Sequence, residues 1–188
     1  MINCLAIVGC GTVGSSLAIR LSQQKLISEL SIYDFDNVSI ETTKSCYPFL
    51  VNESGLPKIL ITKFICQKLN PNLTVSTYSE KITKPIPSLH VIDCRDCKDP
   101  DISAIIRVSL DGELLYIDSR SSKYRSLNYH QYITIRNENY IQKAIDIIID
   151  YLKKDNYIFR DFRLYNLENS SEYILKREDD NDCTKRDT

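Results

Sequence analysis

Near its N-terminus the sequence reads Cys4-Leu5-Ala6-Ile7-Val8-Gly9-Cys10-Gly11-Thr12-Val13-Gly14, and this stretch decides the fold. Its first five residues form an apolar run rich in β-formers, which is typical of a strand buried on both faces of a parallel sheet. The rest matches the GxGxxG spacing, in which Gly9 permits a tight turn, Gly11 lets phosphate approach the backbone, and Gly14 lets a helix pack on the strand. Because a helix N-terminus attracts anions, these three glycines are predicted to hold a phosphate-containing cofactor.

The pattern continues as alternating strands and helices. Apolar residues at helical spacing follow the glycines, and Leu30-Ser31-Ile32-Tyr33 is predicted to be a second strand that closes a βαβ unit. A further helix is predicted from Pro57 to Asn70-Pro71, followed by strands over residues 73–78 and 90–93. The sequence therefore predicts a Rossmann-like α/β fold, with a mainly parallel sheet and helices on both faces.

The middle of the chain carries signals of a different kind. Asp99-Pro100 is predicted to cap and open a helix that runs to about Leu110. Asp111-Gly112 is then predicted to turn the chain into a strand over residues 114–117, and another strand is predicted over residues 132–135.

Late in the chain, a helix is indicated over residues 141–152, where apolar side chains recur at steps of three and four. An edge strand is predicted over residues 157–165. From Ser170 onward the sequence is charged, mixed in sign and nearly free of aliphatic residues, which is typical of a mobile tail. We therefore divide the chain into a nucleotide-binding domain, residues 1–165, and a charged, disordered tail, residues 166–188.

Composition excludes several classes of function. The 188 residues carry a formal net charge of −1, so no basic surface for nucleic acid is expected. The seven cysteines are scattered rather than arranged in a disulfide framework, which favours reduced thiols in the cytoplasm. No apolar stretch approaches the length of a membrane span, so no membrane partner is expected.

The glycine turn alone leaves the nucleotide open. A dinucleotide site needs an acid about 20 residues past the glycines, at the end of the second strand, to bind the ribose. Asp34 follows Gly14 at this spacing and is therefore a candidate cofactor-binding residue. An NAD-dependent oxidoreductase consequently remains an alternative, although no convincing set of catalytic residues follows the nucleotide domain.

Four further motifs follow the glycine turn. In chain order they are Asp34-Phe35-Asp36-Asn37-Val38, Gly55-Leu56-Pro57-Lys58, Leu69-Asn70-Pro71 and Asp93-Cys94-Arg95-Asp96. Over residues 2–118 the chain resembles the ThiF-type adenylyltransferases, which are related to ubiquitin-activating enzymes. Order and spacing agree as well as residue type, which makes the resemblance specific.

The resemblance implies an enzyme that uses ATP and Mg²⁺ to activate the C-terminal carboxylate of a small ubiquitin-like or sulfur-carrier protein. It implies that Asp36 binds the ribose hydroxyls, that Lys58 balances charge on the phosphates as a catalytic residue, and that Asp96 ligates magnesium. Relatives commonly pair, so a homodimer is compatible with the resemblance.

One departure from the family pattern concerns the triphosphate. The family usually carries an Asn-x-x-Arg pair there, and counting from Asp36 places Thr42 and Ser45 at those two positions. Lys44 is the cation beside them and is therefore a third catalytic candidate with Lys58 and Asp96, although a lysine lacks the planar fork of arginine. A catalytically impaired relative that binds a nucleotide or a partner therefore remains a second alternative.

Overall fold

The computed structural model describes residues 3–45, 48–86, 90–95, 102, 104–118, 137–154 and 162–175. These residues form four α-helices and a single sheet of eight strands. The strands are β1 (Cys4–Val8), β2 (Glu29–Tyr33), β3 (Thr74–Tyr78), β4 (Val91–Asp93), β5 (Ile106–Asp111), β6 (Leu114–Asp118), β7 (Phe162–Asn166) and β8 (Ser171–Leu175). The helices are α1 (Thr12–Gln23), α2 (Ile40–Ser45), α3 (Lys58–Leu69) and α4 (Glu138–Lys153), and a short 3₁₀ helix covers Val51–Glu53.

The strand order is β3-β2-β1-β4-β5-β6-β7-β8. The pairings from β3 across to β5 are parallel, and those from β5 to β8 are antiparallel, which confirms the predicted Rossmann-like α/β fold with a mainly parallel sheet. In the parallel half, Val8 at the end of β1 is in register with Tyr33 on one side and Asp93 on the other. The residues that follow β1, β2 and β4 therefore meet at one edge of the sheet, where open α/β sheets bind ligands.

Side-chain alternation along β1 divides the core into two clusters. Leu5 and Ile7 belong to the larger cluster, which also takes the buried residues of α1, α3 and α4. Helix α1 contacts both α3 and α4, so these three helices lie on one face of the sheet. Ala6 and Val8 point to the opposite face and belong to a smaller cluster.

The helix that was predicted to reach Leu110 is wrong in its second half, because residues 106–111 form β5. Ile106, Val108 and Leu110 are buried in the larger core cluster and alternate with more polar residues. This is the two-residue period of a strand, and antiparallel pairing with β6 completes it. The turn predicted at Asp111-Gly112 is confirmed, since Gly112 has a φ of 56° in the connection to β6. The predicted start of the helix, Asp99-Pro100, lies outside the described residues.

The C-terminal region also differs from the prediction. The strand expected over residues 157–165 overlaps β7, which is not an edge strand because β8 pairs with it, and residues 157–161 lie outside the described residues. β8 occupies residues 171–175, so this part of the predicted tail belongs to the sheet. The hairpin is supported by an ion pair between Arg163 Nη1 and Glu172 Oε1 at 3.0 Å. The predicted strand over residues 132–135 and the end of the chain, 176–188, lie outside the described residues.

The predicted late helix is confirmed as α4. The side-chain oxygen of Asn137 accepts hydrogen bonds from the backbone N–H groups of Asn139 and Tyr140, which caps the N-terminus of the helix. Among the helices in the described residues, none has both the length and the apolar character that crossing a membrane requires.

Candidate nucleotide-binding site

A cleft of about 310 Å³ opens at the carboxyl edge of the parallel half of the sheet. Five of the residues predicted for the site line it together, namely Gly9, Gly11, Asp34, Asp36 and Lys58. They come from three segments separated in sequence: β1 and β2 end side by side in the sheet, and the pairing of Asn37 with Pro57 brings Lys58 to the same place. The size of the cleft lies at the lower end of the range for small-molecule sites.

The three glycines serve different purposes. Gly9 has a φ of 92°, and a Cβ there would lie 2.9 Å from the backbone carbonyl of Cys94. A Cβ on Gly14 would lie 1.9 Å from the carbonyl oxygen of Gly9, so Gly14 permits α1 to pack against the turn and does not itself line the cleft. A Cβ on Gly11 would meet no atom within 4 Å, so this glycine leaves open space beside the cleft.

Helix α1 begins beside the cleft. Gly11 is its N-cap residue and supplies no side chain to cap the first turn, which contains no acidic residue. The first N–H groups of an α-helix lack intrahelical partners and carry the positive end of the helix dipole. The end of α1 next to Gly11 therefore provides an electropositive backbone surface for a phosphate group.

The Asp34 carboxylate holds the turn in place. Its Oδ2 accepts a hydrogen bond from the backbone N–H of Cys10, and its Oδ1 accepts one from the backbone N–H of Asp36 at 2.8 Å. The backbone N–H of Gly9 also donates to the carbonyl of Tyr33 at 2.9 Å. The carboxylate on which the NAD hypothesis depends is thus engaged by the protein's own backbone.

Asp36 and Lys58 form an ion pair in the cleft. Lys58 Nζ lies 3.0 Å from Asp36 Oδ2, and the exposed fractions of the two side chains are 12% for Lys58 and 49% for Asp36. The backbone joins the same segments, because the N–H of Lys58 donates to the Asp36 carbonyl and Asn37 forms an isolated antiparallel bridge with Pro57. Gly55, with a φ of 89°, makes the turn that allows this pairing.

Arg95, to which the sequence analysis assigned no role, also lines the cleft. Its Nε and Nη2 donate to the two oxygens of Asp93 at 2.9 and 3.0 Å, and its Nη1 donates to the carbonyl of Ile82 at 2.8 Å. Asp93 is buried at the end of β4, and Arg107 Nε lies 3.6 Å from its Oδ2. The sequence signal for this pair is an acid at a strand end followed two residues later by arginine.

Besides Gly14, two predicted residues are not found at the cleft in the described structure. Lys44 is exposed on α2 and does not line the cleft, so its catalytic role has no geometric support. Asp96 lies outside the described residues, and its role as a magnesium ligand stays a prediction.

Three carboxylates at this edge of the sheet already have partners within the protein. Asp34 accepts from backbone N–H groups, Asp36 pairs with Lys58, and Asp93 pairs with Arg95. Within the described part of the chain, no three metal-ligating side chains come together.

The fold and the cleft define a Rossmann-like α/β protein with an anion-binding glycine turn. Residues 4–129 match the sequence profile of the ThiF family, and the chain belongs to that family. It is similar to ubiquitin-like modifier-activating enzyme 5 of Bombyx mori, with 32% identity over 79 residues, which are 42% of this chain and 20% of that protein.

Two solved structures share the fold. The crystal structure of selenomethionine PaaA has a TM-score of 0.68 and 16% identity, and the match covers 93% of this chain and 64% of that one. A crystal structure of E. coli MccB with ATP has a TM-score of 0.64 and 12% identity, and the match covers 93% of this chain and 63% of that one. This chain thus spans less than two thirds of each of these relatives, and at such identities the structural likeness concerns the fold alone.

Proposed function

We propose that this protein is an ATP-dependent adenylyltransferase that activates the C-terminal carboxylate of a small ubiquitin-like or sulfur-carrier protein. The observation that carries the proposal is the meeting of Asp36, Lys58 and the N-terminus of α1 around one cleft. These groups match two parts of a nucleoside triphosphate: Asp36 is an acceptor for the ribose hydroxyls, and Lys58 and the backbone at the start of α1 suit the phosphates. Membership of the ThiF family supports the same chemistry.

In the proposed reaction, a carboxylate oxygen of the carrier attacks the α-phosphorus of ATP. The bond from that phosphorus to the bridging oxygen breaks, pyrophosphate leaves, and an acyl-adenylate forms. The carboxylate is already ionised near neutral pH, so the attack needs no general base. Catalysis then rests on holding the reactants in position and on stabilising charge at the phosphates.

Lys58 and Asp36 change partners in this scheme. Before nucleotide binds, the ammonium group of Lys58 is held 3.0 Å from the Asp36 carboxylate. On binding, Asp36 accepts hydrogen bonds from the ribose hydroxyls, and Lys58 turns to the phosphates. Because the Lys58 side chain is 88% shielded from solvent, its charge is only partly screened there.

By family resemblance, Asp96 would hold Mg²⁺, which would neutralise charge on the phosphates. No step of the scheme is assigned to Lys44. A homodimer is part of the proposal through the family resemblance, and a cytoplasmic location through the scattered cysteines of the sequence.

A second candidate function is nucleotide binding without adenylation. It is favoured by the position of Lys44, since this cation, which lies beside the positions of the family's Asn-x-x-Arg pair, does not line the cleft. The two candidates differ in chemistry and share the same binding site.

Exchange of labelled pyrophosphate into ATP tests the proposal, with a carrier protein ending in Gly-Gly and with Mg²⁺ present. Lys58→Ala is expected to slow exchange by about 100-fold or more, the usual effect of removing one group that stabilises transition-state charge. Lys68→Ala, which removes an exposed lysine from the last turn of the same helix, is the matched control and is expected to keep wild-type exchange. ATP binding by calorimetry without exchange would favour the second candidate, and absence of ATP binding would contradict both.

A further inference from the structure

One wall of the cleft is formed by residues 80–82, in the connection between β3 and β4. Within its described part, residues 79–86, this connection contains neither helix nor strand. A backbone segment of this kind has no regular hydrogen-bond ladder to hold it, so other contacts must set its position.

Two contacts hold Ile82 in this segment. Its side chain packs against the smaller core cluster, which includes Ala6, Val8 and Val91. Its carbonyl oxygen accepts a hydrogen bond from Arg95 Nη1 at 2.8 Å. This hydrogen bond ties the wall to Arg95, which follows the end of β4.

Arg95 is itself rigidly held. Its Nε and Nη2 bind the two oxygens of Asp93, and its backbone N–H donates to Oδ1 of the same carboxylate at 3.1 Å. The side chains of Arg95 and Asp93 are 9% and 7% exposed. A paired, two-pronged contact of a planar guanidinium fixes its orientation, which a lysine ammonium cannot reproduce.

The position of this wall relates it to one part of the ligand. If the proposed function is correct, Gly11 and Lys58 face the phosphates and Asp36 faces the ribose. The wall at residues 80–82, together with Arg95, is then one of the surfaces left for the base, beside Tyr33 and Phe35, which also line the cleft. We propose that Arg95 is a positioning residue for the nucleobase, because it holds this wall at the distance that base contact requires.

This inference rests on the proposed function and concerns a residue with no step in the chemistry. Loss of the Arg95 guanidinium should weaken binding of any ligand that carries the base and leave binding of bare phosphates unchanged. Lys58 should show the opposite pattern, because its charge faces the phosphates.

The experiment compares wild type with Arg95→Lys and Arg95→Met by measuring dissociation constants for ATP, adenosine and inorganic tripolyphosphate. Arg95→Lys keeps a positive charge beside Asp93 and so guards against misfolding. Arg20→Met is the matched control, since Arg20 forms an ion pair with Asp146 at 3.1 Å and does not line the cleft. Thermal melting of each variant reports whether the fold is retained.

In both Arg95 variants we expect ATP and adenosine to bind about tenfold more weakly than to wild type, and the loss should be the same for the two ligands. This is the effect expected for loss of one hydrogen bond to a charged group. Tripolyphosphate should bind as in wild type, and the Arg20 variant should match wild type for all three ligands. Equal weakening of tripolyphosphate would make Arg95 a phosphate ligand and overturn the inference. Unchanged binding of ATP and adenosine in a folded variant would also overturn the inference about Arg95, and it would leave the proposed function intact. A wild-type protein that binds no ATP would contradict the proposed function itself.

Discussion

Replacing Asp34 by asparagine separates a structural role for this carboxylate from a role in ribose binding. Both Asp34 oxygens accept hydrogen bonds from backbone N–H groups, those of Cys10 and Asp36. The amide of Asp34→Asn offers one acceptor oxygen only, and its NH₂ group would face an N–H donor. One of the two bonds is therefore lost, and the other no longer involves a charged acceptor.

The loss can be sized from the kind of bond. A hydrogen bond to a charged group contributes about 1.5–3 kcal/mol to stability. Because the Cys10 contact is only partly buried and the Asp36 contact is exposed, we expect the free energy of unfolding to fall by about 2 kcal/mol. For a chain of this length, 1 kcal/mol corresponds to about 2–4 °C, so the melting temperature should fall by about 4–8 °C.

Urea and thermal unfolding of Asp34→Asn and Asp36→Asn provide the measurement. The Asp36 side chain is half exposed in its pair with Lys58, so Asp36→Asn should lose less than about 1 kcal/mol. ATP affinity should show the reverse order, with the larger loss in Asp36→Asn. If Asp34→Asn melted with wild type and lost nucleotide binding instead, the assignment of Asp34 to holding the turn would be refuted.

Three further predictions concern the glycine turn and an exposed thiol. Gly14→Ala places a methyl group 1.9 Å from the carbonyl oxygen of Gly9, so it should cost more than about 3 kcal/mol of stability or prevent folding, as circular dichroism would show. Gly11→Ala meets no atom within 4 Å, but alanine caps a helix less well than glycine by about 1 kcal/mol or less, so the variant should melt within about 4 °C of wild type while ATP affinity falls. The pKa of the Cys4 thiol is raised because its Sγ–H donates to the Glu29 carboxylate, and burial and the charge of Glu29 add to this. Glu29→Gln should lower this pKa, so at a pH below the pKa the thiol of Cys4 should be alkylated faster in the variant than in wild type, and at higher pH the two rates should become equal. Equal alkylation rates of the two proteins at pH 8, measured by peptide mapping, would contradict the contact.

Local patterns in the sequence were enough to predict the first half of the fold. A short stretch of sequence was enough to predict each of three features: the apolar run of β1, the glycine turn, and the helix between Pro57 and Asn70. This is because hydrophobic periodicity and turn chemistry act over a few residues. The structure confirms α3, which ends at Leu69 with Asn70 as its C-cap residue.

Strand pairing between distant segments was harder to predict from the sequence. Residues 106–111 carry the two-residue period of a strand, yet the Asp99-Pro100 signal favoured a helix, and the pairing of β5 with β4 and β6 decides the matter. β8 includes Ser171, Glu172 and Tyr173, which lack an apolar alternation, and its assignment depends on its pairing with β7. A charged composition alone therefore indicated a tail where the chain adds a strand.

The candidate site shows the same division between motif and geometry. The resemblance to the family was sufficient to select Asp36 and Lys58, and both residues line the cleft. It could not tell that Asp34 binds the backbone, that Lys44 lies away from the cleft, or that Arg95 joins Asp93 to the wall at residue 82. Those distinctions depend on distances of a few ångströms between segments far apart in the chain, and the register of the folded sheet sets those distances.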